Sequence, residues 1–158
     1  RDTDRSRGLG DVYKRQRRLT GEPILPEKLN SLPDTLLASC GLTELKVTYM
    51  KEFARLVLDK TIDFTAFSEM SDPQIIKMLK NVKGLGQWTI EMFLILSLCR
   101  PDVLPGDDFL LKKEVQQLFA LPKMPKRGQL LQLLEKWSPW RSLAVWYLWQ
   151  HSADSGRK

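Results

Sequence analysis

Two aspartates, Asp107 and Asp108, close a proline-rich loop, RPDVLPGDD, and stand directly before an amphipathic run, FLLKKEVQQLF. A carboxylate placed there can cap the following helix by accepting its backbone N–H groups. It can also face a reacting centre, stabilising positive charge and orienting or deprotonating a water. Taken alone the pair reads as caps, since Asp-Asp before a helix is common. Upstream, Gly84 and Gly86 flank Leu85 in NVKGLGQWT. Two glycines at that spacing allow backbone conformations that other residues resist. The N–H groups of such a hairpin, backed by a helix N-terminus, suit a phosphate oxygen. That points toward nucleic acid.

The elements that must position these residues are helical. Ser71 and Pro73 open SDPQIIKMLKNVK, with Ile75, Ile76, Leu79 and Val82 on one face. The run from Trp88 to Leu98 is nearly all apolar and long enough for three turns, so it reads as a buried helix. Together these make a helix, a tight GLG hairpin and a helix. Earlier, Leu19 to Pro33 has three prolines and reads as loop. Pro33 to Cys40 reads as a short helix stopped by Gly41. Thr43 is placed to cap a helix ending near Lys60, with Leu45, Tyr49, Phe53, Leu56 and Val57 as its apolar stripe. Phe64 to Met70 adds a short helical turn. After Asp108 come an amphipathic segment from Gly128 to Trp137 and a last helix, SPWRSLAVWYLWQH, with Ser138 as cap and Pro139 at its first position. No run alternates with period two for long and no internal repeat is visible. The expected fold class is all-α.

A length of 158 residues suits one domain with a real core. No apolar run reaches membrane-spanning length. With Cys40 and Cys99 as the only cysteines and His151 as the only histidine, no metal-ligand pattern is visible, and a reduced cytosolic setting is expected. The net charge of +6 is unevenly spread: Arg1 to Arg18 hold seven basic and three acidic side chains, so the remainder carries only +2. Whole-chain charge is therefore weak evidence for DNA binding, and the hairpin is better evidence. Arg1 to Gln16, with alternating charges and two glycines, has the composition of a disordered tail. It also resembles a translated sequencing-adapter fragment, a reading placed above that of a basic DNA-binding arm, so residues 1–16 are expected to be a disordered or non-native tail, 17–151 the domain and 152–158 a short tail.

VKGLGQWT, then PDVLPGDDFLLKK, then WSPWRSLAVWYLW resembles the helix–hairpin–helix DNA glycosylases, and within them most closely the 3-methyladenine DNA glycosylase II branch. A lone GLG hairpin is weak, but three motifs in the family's order and spacing are specific, and the likeness runs from about Arg17 to Gln150. The resemblance implies that Asp108 is the catalytic carboxylate, with Asp107 a helix cap or loop anchor. Cleavage of an N-glycosidic bond develops oxocarbenium character in the sugar, which a carboxylate near the anomeric carbon stabilises. The resemblance also implies that Trp88 and Trp149 line the pocket for a flipped base, with Met92 where the branch can carry an aromatic. Alkylated purines are cationic, and aromatic faces attract them by stacking and cation–π contact worth about 0.5–2 kcal/mol each. Core packing is the ordinary alternative for any tryptophan, and Trp140 and Trp146 are assigned to it.

In bifunctional relatives a lysine at the Trp88 position forms a Schiff base with the sugar. Tryptophan cannot, so a monofunctional enzyme that leaves an abasic site is expected. Lys83, Gly84, Leu85, Gly86 and Gln87 are expected to hold the DNA backbone, fixing position without reading sequence. Thr89 is expected to cap or brace the second helix. Arg141, a cation at a helix start, reads either as the partner of a carboxylate or phosphate or as an ordinary surface arginine. The expected partner is damaged double-stranded DNA, met by a monomer in the cytoplasm (at the nucleoid, if bacterial), with no membrane and no cofactor, although hairpins of this type sometimes hold a monovalent cation. The family also implies, upstream of Arg17, early helices, a loop that carries a wedge side chain and in some members a β-rich domain, so the domain is expected to be incomplete at its N-terminus. The rival readings are a non-catalytic DNA-binding module and a glycosylase for oxidised or deaminated bases.

Overall fold

The computed structural model describes residues 14–21 and 23–155, the side chains of 154 and 155 excepted. The described residues form helices, two 3-10 turns and connecting loops, with no strand among them. The helices are α1 (residues 14–20), α2 (Pro26–Ser31), α3 (Asp34–Ala38), α4 (Glu44–Leu58), α5 (Asp72–Leu79), α6 (Gln87–Leu96), α7 (Phe109–Leu118), α8 (Arg127–Leu133) and α9 (Arg141–Ser155). The 3-10 turns are Phe64–Ser68 and Glu135–Trp137. The all-α class holds.

Local signals set most helix starts. The Thr43 hydroxyl accepts the N–H of Lys46 at 3.4 Å and caps α4. Ser71 and Gln74 form a capping box before α5, with Pro73 in the first turn. Two helix starts differ from expectation. The stretch read as loop between Leu19 and Pro33 contains α2, because Pro26 occupies a first-turn position where a missing N–H costs nothing. The last helix starts at Arg141 and not at Pro139. Ser138 donates its hydroxyl to Asp102 at 2.8 Å, and the Arg141 N–H donates to the same carboxylate at 3.3 Å, so the acceptor at this helix start comes from a distant loop. The Ser138–Pro139 peptide is cis.

The chain divides into two compact units, Arg1–Glu69 with Val82–Gly84, and Met70–Asn81 with Leu85–Lys158. In the first, α2 and α3 pack on α4, and Leu37, Cys40, Val47, Ala54, Ile62 and Phe67 are buried. The deepest residues of α4 are thus Val47 and Ala54, whereas Leu45, placed in the expected stripe, is 59% exposed. The Lys51 ammonium donates to the Leu32 carbonyl at 2.6 Å and pins α4 to the α2–α3 link. Residues 14–16, assigned to a disordered tail, are helical here: Arg15 donates to the Cys40 carbonyl at 3.0 Å, and Gln16 reaches the Met50 sulfur. Residues 1–13 of that assignment lie outside the described residues, and α9 runs on past the expected boundary at 151.

In the second unit, α5 packs on α6 and α7 packs on α9. Leu104, Leu111, Val115, Leu130, Leu134 and Val145 form its buried cluster, with Trp137, Leu148 and Trp149 against it. The Arg100 guanidinium, after α6, donates to the Met70 carbonyl at 2.8 Å and pairs with Asp72, which fastens the helix pair at its open end. Trp140 and Trp146, assigned to core packing, are 60% and 45% exposed instead, because α9 buries its Ser142 and Val145 face.

Candidate functional site

The loop that delivers Asp108 is stitched to the start of α9. The Arg141 fork grips Asp102, with Nε to Oδ1 at 2.6 Å and Nη2 to Oδ2 at 2.8 Å, and Nη2 also donates to the Asp102 carbonyl. Chiefly the Arg141 hydrogen bond brings the Asp102 carboxyl down to about 2, against the cost of burial. The same bond raises Arg141. Next to it the Ser142 hydroxyl accepts the Val103 N–H at 2.9 Å and donates to the Val103 carbonyl, while the Ser142 N–H donates to Pro101. Of the two readings of Arg141, the structure supports the carboxylate partner.

Asp108 then turns inward, 8% exposed, and is the N-cap of α7. Its Oδ1 accepts the Leu111 N–H at 2.7 Å and the Trp149 indole N–H at 3.0 Å, and its Oδ2 accepts the Trp88 indole N–H at 3.0 Å. Asp108 is therefore a cap and more: a carboxylate has about four acceptor positions, and these three donors leave one on Oδ2. The structure brings together Asp108, Trp88 and Trp149, which lie 20 and 41 residues apart from the aspartate. Trp88 keeps 45% of its surface exposed, so its N–H is engaged while its ring stays open to a planar partner. Trp149 is half-buried against the α7–α9 core. Met92 stands one turn past Trp88 on α6, half-buried.

Asp107 does not cap. It is about half exposed and pairs with Lys112 at 3.2 Å and Arg127 at 3.0 Å, which anchors the loop. Burial opposes its ionisation, but these hydrogen bonds outweigh it and hold the carboxyl below its usual range. Arg127 also pairs with Glu91 at 2.7 Å, and that carboxylate is only 2% exposed. Arg127, raised first by its Glu91 hydrogen bond, is a firmly charged partner. Glu91 and Arg127 were not singled out in the sequence. The available signal was a lone acid inside the apolar run WTIEMFLIL, where a buried charge needs a partner.

At the hairpin the two glycines differ. Gly84 has φ +86, and an added Cβ would lie 2.5 Å from Tyr49 Cδ2, so both conformation and space require glycine. Gly86 is extended (φ −80, ψ 163), has nothing near its Cβ position, and is the N-cap of α6. The N–H groups of the first turn of α6 have no side-chain cap. Leu85 is half-buried and Lys83 is exposed. The side chain of Gln87, expected to help hold the DNA backbone, donates its amide N–H to Glu91 at 2.7 Å. Thr89 is exposed and α6 carries no side-chain cap, so it does not brace the helix as a cap. Among the described residues no cluster of histidine, cysteine or carboxylate groups is arranged to hold a metal. No helix of the described residues is long and apolar enough to cross a membrane.

No family model matches the chain. It is 31% identical over 150 residues to DNA-3-methyladenine glycosylase 1 of Schizosaccharomyces pombe, covering 93% of this chain and 66% of that protein. Among solved structures, the Schizosaccharomyces pombe 3-methyladenine DNA glycosylase in complex with abasic DNA superposes with a TM-score of 0.82 at 31% identity, over 90% of this chain and 71% of that one. The DNA-3-methyladenine glycosidase of Bacillus halodurans superposes with a TM-score of 0.83 at 28% identity, over 96% of this chain and 70% of that one. The chain belongs to the helix–hairpin–helix DNA glycosylase family, in its 3-methyladenine branch. It spans just under two thirds of the length of the curated fission-yeast relative.

Proposed function

We propose that this chain is the catalytic part of a monofunctional DNA glycosylase that releases alkylated bases such as 3-methyladenine from damaged duplex DNA. The observation that carries the proposal is the meeting of Asp108 with the indole edges of Trp88 and Trp149. An alkylated purine is cationic and its glycosidic bond is already labile, so little general-acid help is needed. The open Trp88 ring stacks on the flipped base and attracts its charge, with Trp149 and Met92 completing the pocket. The free acceptor position of Asp108 faces the sugar, stabilises the developing oxocarbenium charge and orients the attacking water. With tryptophan at position 88 no Schiff base forms, and the product is an abasic site. The fission-yeast relative, 31% identical, was solved with abasic DNA. The backbone N–H groups at Gly84, Leu85 and Gly86 and the first turn of α6 take a phosphate, with Lys83 nearby in charge.

The test is free-base release from methylated duplex DNA, with Asp108→Asn run in parallel. Asparagine keeps one oxygen for the Leu111 N–H, so the cap persists while the charge is removed. The parent releases base; the variant binds DNA nearly as well and releases none. If binding and release fall together, the role given to Asp108 is wrong, and if the parent releases nothing the activity is not this chain's.

A further inference from the structure

Glu91 sits in the middle of an apolar helix at 2% exposure, where a carboxylate survives only if paired. Its partner Arg127 is the first residue of α8, a position where the helix dipole disfavours a cation. Neither placement is explained by its own helix. The Arg127 fork spans two acids: Nη2 meets Glu91 Oε1 at 2.7 Å, and Nη1 meets Asp107 Oδ2 at 3.0 Å. The guanidinium lies against Gly106, where an added Cβ would come within 2.8 Å of Arg127 Cγ and 3.0 Å of Nη1. Gly106 thus leaves the backbone bare for the fork. The two acids belong to the two halves of the site. Glu91 is three residues past Trp88 on α6, and Asp107 adjoins Asp108.

We infer that Arg127 is a positioning residue that sets the approach of Trp88 to Asp108 by clamping α6 to the loop carrying the aspartate. This rests on the glycosylase reading for its rate readout alone. Trp149 is held separately, by the packing of α9 on α7 and by the Asp102–Arg141 grip. Loss of Arg127 therefore loosens one indole contact and spares the other. A lysine keeps the charge but offers a point and not a fork, so it cannot hold both acids at once.

The experiment uses the whole chain. Arg127→Met is paired with Glu91→Gln, so that no buried charge is left without a partner, and Arg127→Lys is the conservative variant. Gly106→Ala, which displaces the guanidinium without changing charge, serves if the double variant does not fold. Assigned indole N–H signals report exchange protection at Trp88 and Trp149 directly. The expected result is a drop of tenfold or more at Trp88, with Trp149 within about threefold of the parent and Arg127→Lys between. Single-turnover base release falls about tenfold or more, while affinity for an abasic duplex stays within about threefold. Retained protection at both indoles in a folded variant overturns the proposal. Equal loss at both overturns it too, since Arg127 would then be a general tie of the fold. A parent that releases no base would defeat the glycosylase reading and leave the indole signals to decide the positioning role.

Discussion

Alanine at Gly84 and alanine at Gly86 should behave as opposites, although they stand two residues apart in one hairpin. At Gly84 the backbone is left-handed, which costs a non-glycine residue roughly 1–2 kcal/mol. The new methyl would also lie 2.5 Å from Tyr49 Cδ2, 2.9 Å from Cγ and 3.1 Å from Cβ. Those atoms are near the root of the side chain, so the ring cannot swing clear without moving α4, and such crowding costs about 1–3 kcal/mol. Together these give about 3 kcal/mol, or a fall of roughly 6–12 °C in Tm for a chain of this size. At Gly86 the backbone is extended and the space is open, so Gly86→Ala loses only glycine's advantage as an N-cap, below about 1 kcal/mol. Its methyl does stand where the phosphate is proposed to sit, so DNA affinity should fall while Tm barely moves. Thermal melts followed by circular dichroism, with fluorescence anisotropy on an abasic duplex, read both effects. Melting of the two variants within about 2 °C of each other would refute the reasoning.

Two further outcomes follow from the second unit. Asp102, brought down to about 2 from the ordinary 3.8, contributes stability above the unfolded value that is lost as pH falls from about 4 toward 2. With a quarter of the side chain exposed to screening, the contribution is about 2 kcal/mol or less. Asp102→Asn should therefore flatten the acid limb of the stability profile in that window and lower stability at pH 7, as urea titrations at stepped pH would record. Leu130 is fully buried in the cluster under Asp108's helix, so Leu130→Ala should cost about 2–5 kcal/mol through the cavity it leaves. A loss below about 1 kcal/mol by denaturant titration would mean that the cluster is not the core of this unit.

Much of the fold was legible because its signals are local. Thr43, the Ser71–Gln74 box and Pro73 act on backbone groups within one turn, and α4 and α5 start where those residues place them. Where local signals misled, a long-range partner or a positional subtlety had overridden them. Three prolines make Leu19 to Pro33 read as loop, yet the first turn of α2 tolerates Pro26. Ser138 reads as a cap, yet its hydroxyl turns to Asp102, 36 residues back. No local signal shows that the buried Glu91 takes the amide N–H of Gln87.

The same division runs through the site. Residue type and spacing determined that a carboxylate would close the proline loop, that glycines would punctuate the turn before α6, and that tryptophans would stand on two separate helices. A lone glutamate in an apolar run calls for a polar partner such as a cation, but names none. Only the tertiary structure decided that the cation is Arg127, that Gly84 but not Gly86 is needed for its backbone, and that both indoles point at one carboxylate. Backbone capping depends on neighbours a turn away, which a sequence displays. Partners 20 to 41 residues apart meet only when burying the apolar faces of α6, α7 and α9 brings their polar edges to the same place, and that is a property of packing.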